Sequence, residues 1–447
     1  MDADAIETLL ERKTTLRYLE VKDGRLFFDG CDTTELAKEY GTPVYVMSYS
    51  EIMGRLNELK EQFTDKYPKA RVAYASKAFC TTGMYEILKK AGACIDVVSG
   101  GEIYAAEKAG FPAERVEFNG NNKLPEEIDQ AVRYGVGRII LDGLQEIPLI
   151  EAACAKYQKK MNIMIRITPG VAASTHDYIV TGKKDSKFGI PLDEDIFLPI
   201  VKQVLDSEYL DFTGLHMHIG SQLFENDAYL EALNVLMDWA ARIRQEFNAD
   251  VKEVNFGGGY GATYIDEPRK PYSFFMDPMM ELLKKRSEEI GMECPAAVIE
   301  PGRSIVAEAG ITLYTVGQIK EIPGIRKYVS VDGGMGDNIR VALYQADYKG
   351  VVANKAEEQT DATVSLCGKY CESGDILIPE MKVPSSIAQG DIIALLSTGA
   401  YGFSMASNYN NNPIPGVVLV KEGKSAWMVK PQSYEQIIAN HVIPDFI

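Results

Sequence analysis

Lys77 closes an apolar, β-prone run, RVAYASKAF at residues 71–79, and helix-forming sequence follows at once. A lysine at the inner end of a strand, in a dry, dipole-rich mouth, can lose its proton and act as a nucleophile toward aldehydes. His216 and His218 stand two apart in HMHIGSQ, on one face of an expected strand. Such a pair binds a metal, or one imidazole packs flat on an aromatic cofactor while the other is structural, or the two are ordinary core histidines. The metal reading needs further ligands, and the chain holds only two other histidines, His176 and His441. Glu300, in IEPGRS, follows four apolar residues, and a half-buried carboxylate needs a partner. Arg303 is one candidate; a protonated ring nitrogen is the other, which leaves Arg303 for an anion. The run Gly257–Gly259 follows a strand signal directly, and its backbone N–H groups suit either a tight turn or a phosphate nest.

These residues need a scaffold that gathers them. Short β-rich runs fall near 72–76, 95–98, 116–118, 138–141, 162–167, 212–218, 252–256 and 297–299, separated by helical patterns such as 101–109, 125–134, 144–158, 227–247 and 274–290. Repeated strand-then-helix units of this length predict a closed (β/α)8 barrel, an α/β fold, rather than an open doubly wound sheet. Reactive groups of such barrels sit at the C-terminal strand ends, where Lys77, DVVSGGE with Asp96 and Glu102, HMHIGSQ, NFGGGYG and IEPGRS all fall. A nucleophilic lysine, a phosphate nest, a flat-packing histidine and a carboxylate for a pyridinium are together the parts that hold pyridoxal phosphate as a Schiff base. Beyond residue 310 the alternation stops and ITLYTVGQIKEI, KYVSVDGG, ATVSLCG, DIIALLS, GVVLVKEG and SAWMVK read as strands. The expected domains are an N-terminal segment, 1–42, that joins a β domain; a barrel, 43–310; and a mostly β C-terminal domain, 311–447.

The 447 residues carry a formal charge of −17, which argues against nucleic acid and anionic membranes as partners while leaving room for an anionic small molecule beside local arginines. No apolar run is long enough to span a bilayer, and the acidic start MDADAIETLLERK lacks a signal-peptide core, so the cytoplasm is the expected location. Seven widely spaced cysteines argue against a disulfide framework, and Cys367 with Cys371 lacks the companions of a zinc site, so no metal is expected.

The pieces YASKAF, DVVSGGE, NGNNK, TGKKDSKFGI, HMHIGSQ, NFGGGYG, EPGRSIV, CESGD and AYGFSMASNYN run in order from residue 73 to 410. In these the chain resembles the barrel-type, alanine-racemase-like (fold type III) pyridoxal-phosphate decarboxylases, and among them those acting on diaminopimelate. The resemblance implies that Lys77 is the Schiff-base lysine, that His218 stacks on the cofactor ring and that Ser221 touches the phosphate. It places Gly258, Gly259 and the backbone from Glu300 through Pro301 and Gly302 to Arg303 around the phosphate, pairs Glu300 with the pyridine nitrogen, and puts Asp96 in the cofactor site. Arg303, Arg340 and Tyr344 would bind substrate, Glu372 its distal amino group, and Tyr401 both cofactor and substrate. Cys371 would protonate the carbon after carbon dioxide leaves, which suits a thiol because its ordinary pKa lies near working pH. A homodimer would complete each site, the neighbouring subunit lending Cys371 and Glu372. The implied reaction turns meso-2,6-diaminopimelate into L-lysine. That substrate explains both a planar arginine fork for a distal carboxylate and an acidic acceptor for the distal ammonium.

Three positions depart from the pattern: Lys369-Tyr370 where Gly-Pro is usual, Val341 where proline is common, and Tyr260 where leucine is frequent. They bear on substrate preference. The rival readings are decarboxylation of ornithine, arginine, lysine or carboxynorspermidine on the same fold, a metal-dependent barrel hydrolase using His216 and His218, and a non-catalytic cofactor carrier. CESGD argues against the carrier, which needs no proton donor. The segment AASTHDYIVTGKKDSK, 172–187, has a composition that permits a lid without requiring one.

Overall fold

The computed structural model describes residues 17–171 and 186–447, so the lid expectation falls almost wholly outside the described residues. The chain divides into two compact units. One holds Met1–Gly54, Ala262–Glu267 and Ile305–Ile447; the other holds Arg55–Gly261 and Pro268–Ser304.

The second unit is the barrel. Its strands are β1 (Arg71–Ala75), β2 (Cys94–Val97), β3 (Val116–Phe118), β4 (Arg138–Leu141), β5 (Met161–Thr168), β6 (Leu210–His216), β7 (Glu253–Asn255) and β8 (Ala296–Ile299). Each pairs in parallel with the next, and β8 returns to β1 through Val298–Arg71 and Ile299–Val72, which closes the eight-stranded cylinder. Helices follow the first seven strands: α1 (Thr82–Ala91), α2 (Gly100–Lys108), α3 (Pro125–Tyr134), α4 (Glu146–Tyr157), α5 (Glu194–Asp206), α6 (Asp227–Phe247) and α7 (Tyr272–Ile290). Local chemistry sets their starts. Thr81 and Ser99 cap α1 and α2 with side-chain oxygens, and α3 opens on Pro125, whose missing N–H costs nothing there.

Two strand ends differ from the expected ones. β1 stops at Ala75, and Lys77 sits in a 3-10 turn, Ser76–Ala78. β6 stops at His216, because its partner β7 ends opposite at Asn255, so His218 lies in the loop beyond rather than on the strand.

The barrel interior is not wholly apolar. Arg138 pairs with Glu117 at 2.6 Å and with Glu253 at 3.1 Å, and Arg71 pairs with Glu253 at 2.9 Å. Burying charge is tolerated here because each carboxylate has a guanidinium beside it.

The other unit is mostly β. Its long strand Gly310–Ile322 pairs with Val44–Ser48 and Ile392–Leu395 through its first half and with Arg326–Val331 through its second. Val44–Ser48, expected at the start of the barrel, therefore belongs to this sheet, where it also pairs in parallel with Gly416–Lys421. Its five residues are buried throughout, which fits a central strand but gives no alternation to read in sequence. The N-terminal hairpin Leu19–Lys22 and Arg25–Phe28 packs Leu26 and Phe28 into the same core as Ile311, Leu313 and Val418. Strand Ile376–Val383 was not legible beforehand because it contains Pro379. It is an edge strand, and its register against Ala362–Cys367 shifts at the proline.

Candidate active site

Lys77, Asp96, Glu102, His218 and Glu300 share one electrostatic neighbourhood at the C-terminal mouth of the barrel. The Lys77 charge lowers the proton affinity of Asp96, Glu102, Glu300 and His218 alike. The side chain of Lys77 is exposed, not dry as the sequence reading expected. Its turn is fixed from below: Ala75 N–H donates to Pro301 O at 3.2 Å, and Tyr74 O–H donates to Phe79 O at 3.0 Å. The loop after β8 is thereby tied to the end of β1.

Glu300 is the most heavily supported group. It is 6 % exposed, and its Oε1 accepts from His216 Nε2 at 2.9 Å, Asn255 Nδ2 at 2.8 Å and Asn119 Nδ2 at 3.4 Å. Its Oε2 has no hydrogen-bond partner among the described residues. Burial pushes Glu300 up, but His216, Arg166 and Lys77 outweigh it and hold the carboxyl below its usual range. Asp96 faces the opposite balance. Its Oδ1 is buried without a partner, and burial together with the Glu300 charge drives its proton affinity well above normal. Burial raises the neighbouring Glu102 to about 7 even though it accepts the Val98 N–H at 2.7 Å.

The glycine loop after β7 is built for close approach. A Cβ on Gly258 would stand 2.3 Å from Glu300 O, and one on Gly257 would stand 2.4 Å from Met217 O. Gly259 has φ +112, and a Cβ there would meet Gly220 O at 2.6 Å. The N–H groups are not equivalent. Gly257 donates to Asn255 Oδ1 at 2.8 Å and Gly258 to His218 Nδ1 at 3.2 Å, which leaves Gly259 as the one whose N–H is unengaged among the described residues. Because Nδ1 of the half-buried His218 accepts, its proton sits on Nε2. Burial, then the charges of Lys77, Arg166 and His216, keep the ring well below the normal imidazole range. Arg303 donates through Nε and Nη2 to Ser221 Oγ at 3.3 and 3.2 Å, joining the loops after β6 and β8. A Cβ on Gly302 would stand 3.0 Å from Ala75 Cβ, tighter than ordinary contact.

Tyr260, one of the departures, stacks on Tyr229 at 5.5 Å beneath the glycine loop, and Tyr229 O–H donates to Gly258 O at 2.9 Å. The larger ring supports the loop from below. His216 and His218 do not converge on a common point: one serves Glu300, the other Gly258. No cluster of three or more His, Cys, Asp or Glu among the described residues is arranged to hold a metal.

In the β unit, Arg340 is buried with its guanidinium 5.1 Å from the Tyr344 ring and 5.3 Å from the Tyr401 ring, and it donates to Tyr348 Oη at 3.0 Å. Tyr401 is held at φ +61, an uncommon conformation for an aromatic residue. Cys371 and Glu372 lie exposed on the turn between Ala362–Cys367 and Ile376–Val383. The turn is braced from inside. Asp375 accepts the Tyr370 N–H at 2.8 Å and the Met335 N–H at 2.7 Å, Asn410 accepts the Cys371 N–H at 2.9 Å, and Tyr370 stacks on Tyr409 at 6.0 Å. Tyr370 thus fills a buried space where the resemblance expects proline, with Lys369 beside it, while Val341 is half-buried in the short helix Arg340–Tyr344.

Sequence reasoning missed Asn119, Arg166, Asn255, Glu117 and Arg138, and it left His216 without a partner. One signal was present: polar residues set within short apolar strands must be paired once the barrel closes.

The chain matches the family model for the pyridoxal-dependent decarboxylase, pyridoxal binding domain, over residues 51–307. It is 44% identical to the diaminopimelate decarboxylase of Bacillus subtilis, covering 93% of this chain and 94% of that one. It is 40% identical to that of Staphylococcus aureus, covering 95% and 99%. The crystal structure of diaminopimelate decarboxylase from M. jannaschii superposes with a TM-score of 0.90 at 34% identity, covering 96% of this chain and 99% of that one. A lysine/ornithine decarboxylase from Vibrio vulnificus, at 20% identity and a TM-score of 0.74, shares the fold. By sequence over nearly its whole length, and by fold, the chain belongs to the diaminopimelate decarboxylases of the pyridoxal-dependent decarboxylase family.

Proposed function

We propose that the barrel mouth carries out the pyridoxal-phosphate-dependent decarboxylation of meso-2,6-diaminopimelate to L-lysine and carbon dioxide. The observation that carries the reading is the asymmetry of Glu300, whose Oε1 is saturated by three protein N–H groups while Oε2 is left for a ring N–H. The other parts fit the same cofactor. Lys77 supplies the amine for its aldehyde, and the His218 imidazole offers a flat face. Gly259 N–H, Ser221 and Arg303, with the backbone N–H of Gly302, hold the phosphate end. Asp96, whose proton affinity burial and the Glu300 charge raise, brings an unpartnered Oδ1.

When bound, the pyridinium ring is the sink for the electron pair left on the α-carbon as carbon dioxide departs. The chain's residues do the rest. Glu300, kept ionised, holds the ring nitrogen protonated. Arg340, stiffened between Tyr344 and Tyr401, presents a planar fork for a carboxylate. Glu372 accepts from the distal ammonium, and the Cys371 thiol delivers a proton to the α-carbon. Cys371 and Glu372 stand on an exposed turn, which supports a homodimer in which each subunit lends this turn to its neighbour's site. No helix among the described residues is long and apolar enough to cross a membrane.

The test is carbon dioxide release from meso-diaminopimelate, ornithine, arginine and lysine by the purified holoenzyme, with borohydride used to fix the cofactor. Release from diaminopimelate alone and a label on Lys77 are expected. Fast release from ornithine with none from diaminopimelate would overturn the substrate, and a label elsewhere would overturn the lysine.

A further inference from the structure

The first histidine of HMHIGSQ has no role in the reaction as described, yet it is wholly buried and its Nε2 lies 2.9 Å from Glu300 Oε1. Its Nδ1 is buried with no partner among the described residues. Because Oε1 of a carboxylate can only accept, Nε2 carries a hydrogen and donates it to Glu300. Asn119 is oriented the same way from behind. Its Oδ1 accepts from Arg166 Nη1 at 3.5 Å and from Gly120 N–H at 3.3 Å, which turns Nδ2 toward Glu300. Lys123 anchors that loop by donating to Gly120 O at 2.8 Å, Ile140 O at 2.6 Å and Glu146 at 2.9 Å.

We infer that His216 is a positioning residue. As an Nε2–H donor, aided by Asn119, it holds the Glu300 carboxylate ionised on Oε1 so that Oε2 alone serves the cofactor ring. The inference rests on the cofactor reading above. It follows from the surroundings of Glu300. Asp96 and Glu117 are the acidic groups near it, Lys77 and Arg166 the basic ones, and burial favours the protonated form. A carboxyl in that position keeps its charge through direct N–H donors. A protonated Glu300 could not hold the ring nitrogen protonated, and the electron sink would weaken.

The experiment compares wild-type, His216→Leu and His216→Gln holoenzymes. Three readouts are used: kcat and KM with meso-diaminopimelate, the pH midpoint of the visible absorption band of the bound cofactor, and thermal melting. His216→Leu should lower kcat by about 10- to 100-fold, as loss of an orienting partner does, with KM within about threefold. It should also move the spectral midpoint upward by about one pH unit, since a less positive ring withdraws less charge from the linkage to Lys77. His216→Gln, which keeps an N–H donor, should recover most of the kcat and return the midpoint toward wild type. A His216→Leu enzyme with a wild-type midpoint and kcat, or a Gln variant no better than Leu, would overturn the inference. Should the Leu variant fail to fold, Asn119→Ala is read the same way: a midpoint shift in the same direction supports the clamp, and an unmoved midpoint overturns it. A colourless wild-type protein that releases no carbon dioxide would instead remove the cofactor reading itself.

Discussion

Asn255 Nδ2 lies 2.8 Å from Glu300 Oε1, and the same amide nitrogen reaches Glu117 Oε2 at 3.1 Å. One NH2 group thus separates two buried carboxylates, each satisfied by one of its hydrogens. The pair joins the catalytic mouth to the ion ladder of Glu117, Arg138, Glu253 and Arg71 inside the barrel.

Asn255→Asp would replace that shared donor with a third acid. The new carboxyl must bind a proton in the folded state that it releases when unfolded, so its folded pKa lies above its unfolded one. Stability is then retained at low pH and lost as pH rises. Urea unfolding should show a loss of about 3–5 kcal/mol at pH 8, as for a broken buried pair, and a smaller loss near pH 5. An equal loss at both pH values would contradict the shared-donor account.

Asp337 in the β unit accepts from Tyr314 O–H at 2.5 Å and Gly334 N–H at 2.9 Å, and burial still raises its pKa from 3.8 to about 7. Its neutral form is favoured by folding, so its contribution is full below pH 4 and disappears as pH climbs toward 7. Asp337→Asn should flatten the stability profile over that window and raise stability at pH 8, by up to roughly 4 kcal/mol at about 1.4 kcal/mol per pKa unit. Melting temperatures measured from pH 4 to pH 8 check this, and an unchanged slope would count against it.

Gly258 is not held at positive φ, so an alanine there is disfavoured by space alone. Its Cβ would meet the backbone carbonyl of Glu300, which cannot swing aside as a side-chain tip can. Gly258→Ala should cost about 1–3 kcal/mol and weaken cofactor retention, since it displaces Glu300, the residue proposed to receive the ring nitrogen. Spectral titration with pyridoxal phosphate measures the second effect; retention equal to wild type would show that the loop gives way.

Cys371 and Glu372 are exposed on their turn, whereas Lys77 lies in the barrel mouth. If the turn is lent across a dimer, inactive Lys77→Ala and Cys371→Ala proteins should complement when mixed under subunit exchange. Random pairing makes half the dimers hybrids with one intact site each, so activity should return to about a quarter of wild type. No recovery, with exchange verified by mass, would place both residues in one subunit's site. Cys371→Ser alone should lower kcat by about 100-fold without changing the cofactor colour.

The barrel was legible because its units write their own period: a short β-rich run eight times over, followed by a helix after each of the first seven. The positions of Lys77, Glu300 and the glycine loop just beyond strands were legible because each follows a β-rich run directly. Val44–Ser48 was not, since a fully buried strand shows no alternation that tells one sheet from another. Ile376–Val383 was hidden by its proline.

What the sequence determined by itself is the set of reactive groups and the strand ends that present them, because both depend on local pattern. The partners of those groups were decided only when the barrel closed. Asn119, His216 and Asn255 come from three different strand ends, 45 to 181 residues from Glu300. Their convergence on one oxygen depends on strand order and register, and no local periodicity encodes those. The charge state of Glu300, and with it the chemistry of the mouth, is therefore a property of the tertiary fold.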